Sequence, residues 1–396
     1  MSLQLDDPPL RFHALSVLDE GGDDVVIGRT DIDSYAIFPR DGAALIEELK
    51  AGRSPAEAGE WYEQQFGDQV DIDDFLATLH DLEFVGTAEP APPAGPVRWQ
   101  RLGAALFSPF AWLVYLVIVA EAVAAAWFDP RLAPQQGNVF FSRYLVLVEL
   151  TVLVGQSALA LVHEAFHVLA GRRLGVRSRL RISHRFYFVV FETALNGLVV
   201  VPRRRRYLPL LAGMLADVLV VALLTLAAAL SRRPDGSIPL WGGVCLALAF
   251  TTIPRIAWQG YFFLRTDVYH LIATAFGCVD LHNTSRQWLA NRLHDRFGLP
   301  RRRYDEAAWS PVDARCARWY GPLAALGYTL AVAVAVLVVL PVTLRFFGAA
   351  AARLFDPGSS SAAEMADSAV LLTLTAAQFA LAGVLAVRER RSKERR

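Results

Sequence analysis

Cysteine is scarce in this 396-residue chain, which holds only Cys245, Cys278 and Cys316. Three scattered thiols exclude a disulfide framework and a cysteine zinc site. The N-terminus lacks the charged-then-apolar pattern of a secretory signal, so the N-terminal region is expected in the cytoplasm. A net charge is missing too, but the formal zero is a cancellation. The first ninety residues carry 21 Asp/Glu against 5 Lys/Arg, and the remainder carries 18 against 34. The acidic part lacks the Lys/Arg that nucleic-acid phosphates and anionic headgroups demand, so no nucleic-acid partner is expected. It reads as a solvated domain whose charge favours a basic partner, either a peptide or the basic loops of the other half.

Residues 10–86 carry the pattern of a small α+β domain. Val25-Val26-Ile27 and Tyr35-Ala36-Ile37-Phe38 predict short strands around a polar turn. Three helices are expected after them. The first sets Ala44, Leu45, Ile46 and Leu49 apolar, and the second opens on the capping box Ser54-Pro55-Ala56-Glu57. The third starts at Asp71 and puts Ile72, Phe75, Leu79 and Leu82 on one face. Residues 87–98 follow as a linker, because the prolines of Thr87–Pro96 suit neither helix nor sheet.

Beyond the linker, apolar runs long enough to cross ~30 Å of hydrocarbon recur. They lie near 105–128, 144–170, 207–230, 238–263, 320–346 and 368–387. Irregular backbone is excluded from lipid, so six helices are expected. Basic residues gather in alternate loops: Arg172 to Arg206, Arg286 to Arg303, and the tail Arg388 to Arg396. By the positive-inside rule both termini are cytoplasmic in a multi-pass cell-membrane protein. The chain is expected to divide into a membrane region at 99–280, a basic cytoplasmic segment at 281–318 and a two-helix region with a basic tail at 319–396.

The stretch 182–201 is β-branched and aromatic, and Asn196-Gly197 interrupts it with a hairpin-turn pair. An interfacial β-hairpin is expected there, with strands at Arg185–Phe191 and Leu198–Val201. Its open edge suits an extended peptide added as a strand, which nominates Phe188, Val190, Glu192 and Asn196 as substrate contacts.

The second span holds His163-Glu164-Ala165-Phe166-His167, an H-E-x-x-H pattern. On a helix, positions i and i+4 share a face, so both imidazoles can reach one metal. Glu164 stands beside them as a candidate general base. Three such residues inside an apolar span are expensive and normally functional. Catalytic zinc usually takes three protein ligands. Asp267 is the favoured third, because it follows the fourth span at the depth expected of His167. Asp217, Glu192 and His270 compete, and for Asp217 an interhelical hydrogen bond is the stronger reading.

With Leu264-Arg265-Thr266-Asp267 beside the His163 motif, the membrane half resembles the site-2 protease family of intramembrane zinc metalloproteases. The likeness runs over about 140–280 and includes Gly171-Arg172-Arg173-Leu174-Gly175-Val176 and Leu211-Ala212-Gly213-Met214-Leu215-Ala216-Asp217. It implies His163 and His167 as ligands, Glu164 as base and Asp267 as third ligand. The second motif departs from the family, since Val268 follows the Asp where glycine is usual. The N-terminal region resembles the PqqD-like peptide-recognition domain, through Asp41-Gly42 and Leu79-His80-Asp81-Leu82-Glu83-Phe84-Val85. That likeness implies a winged-helix-like domain that binds the leader of a ribosomally made peptide. The pairing of both parts resembles membrane peptidases found beside peptide-modification systems, which implies peptide-modification enzymes as partners.

These readings converge on a polytopic α-helical membrane protein with a small soluble domain. The expected activity is that of a zinc endopeptidase, with one Zn²⁺ per chain, acting on a peptide or membrane-protein substrate near the cytoplasmic face. Two rivals stand beside it. One is a non-proteolytic peptide-binding, export or maturation subunit. The other is a transporter using Glu121, Glu149 and Asp217 as an ion path, although those residues lack a defining spacing.

Overall fold

The structure is a computed structural model that describes residues 10–32, 34–86, 97–177, 179–185, 188–194, 196–298, 303–355 and 361–393. The linker expected at Thr87–Pro96 lies outside them. The chain forms two compact units. One comprises residues 1–107 with 168–180 and 193–209, and the other holds the rest.

In the first unit, β1 (Ser16–Asp19), β2 (Asp24–Arg29) and β3 (Ser34–Pro39) form an antiparallel meander. Val17 pairs with Ile27, and Val26 with Ile37. The expected strand residues fall inside β2 and β3. Then come α1 (Arg40–Lys50), α2 (Pro55–Phe66) and α3 (Ile72–Asp81). Ser54 and Glu57 close their capping box at the start of α2, and Gly67 ends that helix in the left-handed region at φ 79°. Alternation along β2 buries Val25 and Ile27 against Leu45, Ile46 and Leu49 of α1 and Leu79 of α3. Each such side chain contributes about 1.5–3 kcal/mol of burial. Tyr62 donates to Asp41 at 2.6 Å, a bond that ties α2 to α1 and pushes the phenol up to about 12. Phe12 bridges Val85, which closes the domain on itself.

The same unit includes the short helix α4 (Gln100–Leu106). Its Gly103 lies so near Leu169 O that a Cβ would not fit. The Arg203 N–H donates to Glu20 Oε1 at 2.6 Å, so an acidic side chain of the N-terminal domain meets the basic cluster 203–206. The accompanying ion pair is long, 3.5 Å, and solvent-exposed, hence weak.

Among the described residues, five helices are long and apolar enough to cross a bilayer: α5 (Pro109–Phe128), α6 (Leu145–Arg173), α7 (Arg203–Leu230), α8 (Leu240–Trp258) and a run from Pro311 to Leu337. They mark a multi-pass helical membrane protein. The first begins at Pro109 rather than near 105, because Ser108 caps it and proline takes the first helical position. After α8 come α9 (Asp267–Phe276) and α10 (Leu281–Phe297), which opens the expected basic segment. The fifth expected span, 320–346, is displaced. Here α11 (Pro311–Val334) passes through a π-helical turn at Ala335–Val339 into α12 (Leu340–Phe355). The sixth expected span falls inside α13 (Ala362–Lys393), which is not among the five. The Asp367 carboxylate of α13 accepts the N–H groups of Leu145 and Val146 at 2.7 and 3.1 Å, capping α6 from outside it.

The hairpin differs from the expectation. Its strands are β4 (Arg179–Arg185) and β5 (Phe188–Ala194), and Asn196–Val200 is a 3₁₀ turn. Leu180 and Ile182 alternate with Arg179, Arg181 and Ser183, a period-2 signal hidden by its arginines. Gly197 serves close approach instead of a hairpin turn. A Cβ there would stand 2.8 Å from Val176 Cγ1 and 3.2 Å from Tyr35 Oη.

Candidate metal centre

The site is built on α6, where His163 and His167 stand one helical turn apart with rings edge to face at 4.9 Å. Both are buried, at 6% and 4% exposure. Their Nε2 atoms lie 3.2 Å apart. Asp267 Oδ2 lies 3.3 Å from His163 Nε2 and 3.2 Å from His167 Nε2. Two nitrogens and one oxygen thus form a nearly equilateral triangle. Ligands held at about 2.0–2.1 Å around a tetrahedral ion stand about 3.3 Å from one another. The donor set and its spacing both fit zinc.

Compared with protein-family models, curated proteins and solved structures, the chain matches none.

Asp267 reaches the histidines because the chain turns back after α8. Arg265 takes a left-handed conformation at φ 60°, and Thr266 flanks the first turn of α9. Gln259 fixes that turn from both sides: its backbone oxygen accepts the Thr266 hydroxyl at 2.7 Å, and its side-chain oxygen accepts Asp267 N–H at 3.1 Å. From α11, Tyr320 and Tyr328 donate to the carbonyls of Phe262 and Phe263 at 3.2 and 2.9 Å, which anchors the approach to Asp267. Burial works against the Asp267 charge, but hydrogen bonds with His163 and His167 outweigh it and hold the carboxyl well below the usual range.

Room for an ion depends on Gly213 of α7. A Cβ built there would collide with Nε2 of both histidines and with Cε1 of His163. The absence of that one carbon keeps the face between the rings open.

Of the other candidates, Glu164 is half-buried next to His163 on α6. His270 is exposed, one turn beyond Asp267, with its ring against Tyr269 at 5.1 Å. Asp217 is fully buried and accepts from His163 Nδ1 at 2.9 Å, on the side of the ring away from Asp267. Phe188, Val190 and Glu192 belong to β5 and Asn196 opens the 3₁₀ turn; their side chains lie outside the described residues. Sequence reading assigns no role to Gly213, Gln156, Arg255 or Gln259. An arginine inside an apolar helix is costly in lipid and a glutamine there needs hydrogen-bond partners, and that signal marks Arg255 and Gln156.

Proposed function

We propose that the chain is an intramembrane zinc metalloendopeptidase, with His163, His167 and Asp267 as ligands and Glu164 as general base. The observation that carries this reading is the triangle of ligand atoms, with Glu164 following His163 on the same helix. Zinc held by His163, His167 and Asp267 would supply Lewis-acid polarisation of a peptide carbonyl and of water. Glu164 takes the proton from the attacking water and returns it to the leaving amine. The substrate meets the site as an extended strand, because a helix hides its carbonyls in its own hydrogen bonds. The β4–β5 hairpin offers backbone edges for that strand. Expression of Glu164→Gln beside the native chain should leave an uncleaved peptide accumulating in membranes. Identical peptide profiles would sink the proteolytic reading.

Recruitment of a ribosomally made peptide by the N-terminal domain belongs to the same proposal, as do partner modification enzymes. The Glu20–Arg203 contact favours a second reading, in which the acidic domain serves to meet this chain's own basic segment. Removing residues 1–90 discriminates the two. Recruitment predicts a higher peptide concentration for half-maximal cleavage at unchanged zinc content; an unaltered concentration dependence leaves only the second reading.

Both termini are placed in the cytoplasm by the distribution of arginine between alternate loops. Reporter fusions near 90, 185, 300 and 390 should report cytoplasm, and those near 133, 234 and 358 the opposite side. A cytoplasmic signal at 358 would overturn α13 as a sixth crossing.

A further inference from the structure

We infer that Asp217 and Arg255 form a positioning unit that sets the His163 ring for metal, with Nε2 turned to the ligand triangle. The inference rests on the reading of His163, His167 and Asp267 as ligands, and it concerns residues that touch neither metal nor substrate.

An imidazole binds a metal through the nitrogen that carries no proton, and the partner of its other nitrogen decides which one that is. For His163 the partner is Asp217. A carboxylate can only accept, so its 2.9 Å contact with Nδ1 requires a proton on Nδ1 and leaves Nε2 as the nitrogen that can give its lone pair to a metal, once an ion displaces the proton Nε2 shares with Asp267. Asp217 lies on α7 four residues beyond Gly213, hence on the same helical face. That face therefore supplies both the open space before Nε2 and the acceptor behind Nδ1.

A carboxylate with no exposed surface in an apolar helix needs compensation. Arg255, on α8, provides it in the forked geometry that only guanidinium offers. Its Nη2 lies 2.5 Å from Asp217 Oδ1, and its Nε lies 3.3 Å from Oδ2. The third nitrogen, Nη1, donates to Gln156 Oε1 at 3.2 Å. Gln156 is on α6, two turns before His163, and its amide donates to Thr251 Oγ1 at 2.7 Å and to Leu248 O at 3.1 Å on α8. The network begins at His163 on α6 and returns to α6 through α7 and α8. Rotation of the ring therefore means breaking a closed circuit in low dielectric, where each bond is strong and each orphaned group costly.

Two other uses of Asp217 fit less well. As a ligand it would have to reach past the ring to Nε2. As a step in an ion path it would need acceptor capacity that His163 and Arg255 already occupy. Simple interhelical glue predicts an effect on stability alone, which separates it from a positioning role.

The test uses the full-length chain in detergent or nanodiscs, loaded with zinc and titrated with a competing chelator. In parallel, Co²⁺ replaces zinc and its visible spectrum reports ligand geometry. Asp217→Asn and Asp217→Leu should weaken zinc binding by about 10–100-fold, the range for lost orienting partners of metal-bound histidine. Leu should do so more than Asn, which can still accept from Nδ1, and the Co²⁺ bands should shift in both. Arg255→Lys should fall between native and Asp217→Asn. Native affinity and an unaltered Co²⁺ spectrum in both Asp217 variants would overturn the inference while leaving the ligand reading intact. A native chain that binds no zinc overturns the ligand reading and the inference with it. Should the Asp217 variants fail to fold, ¹⁵N-histidine spectra of the zinc-loaded native chain decide: a proton on His163 Nδ1 is expected, and a proton on Nε2 refutes.

Discussion

His163→Ala and His167→Ala should each strip the chain of zinc, whereas Glu164→Gln should keep about one zinc per chain and lose hydrolysis. Each histidine supplies one corner of a three-atom site, and neither has a substitute at the same distance among the described residues. Loss of a direct ligand must exceed the ~10–100-fold that an orienting partner commands. Glu164 lies outside the triangle, so its amide variant removes proton transfer and spares the metal. A missing general base lowers turnover by roughly 10²–10⁴-fold. Asp267→Ala belongs with the histidines, while Asp217→Ala should release less zinc, because its carboxylate faces Nδ1 and not the ion. Metal analysis of purified variants checks all of this. Equal zinc retention in both histidine variants, or greater loss from Asp217→Ala than from Asp267→Ala, would defeat the assignment.

Gly213→Ala should nearly abolish zinc binding with the helices still formed. In an isolated helix the change is favourable by about 1 kcal/mol. Here the new methyl falls on both Nε2 atoms, and neither ring can easily retreat: each is more than nine-tenths buried, and Asp217 holds His163 from behind. Overpacking of this kind costs roughly 1–3 kcal/mol, so the net effect on stability is small while the effect on the site is large. Zinc content and thermal midpoint measured on the same preparation separate the two. Native zinc content in Gly213→Ala would mean that α7 does not border the metal position.

Several elements of the fold were legible because they are local. The capping box at Ser54 and Glu57 is complete within four residues, and the alternation in β2 needs only its own neighbours. The long apolar helices follow from the exclusion of unpaired backbone from lipid. Legibility failed where a local signal had two readings. Asn196-Gly197 has hairpin-turn chemistry, yet its glycine admits Val176 and Tyr35, and the true strand Arg179–Arg185 was masked by arginines that also read as a basic loop. The fifth span slipped for a similar reason, since apolar content alone does not show where Pro311 starts the helix.

By itself the sequence determined the pair of histidines and the acid beside them, because a spacing of four residues puts two side chains on one face of any helix. It also determined that three ionisable residues inside an apolar run require partners. Tertiary structure alone decided what those partners are. Asp217 and Asp267 stand 54 and 100 residues from the histidines they meet, and Arg255 stands 38 residues from Asp217. No periodicity spans such separations. They close only when α6, α7 and α8 pack, when Gln259 turns the chain after α8, and when Gly213 lacks the one carbon that would fill the space between the rings.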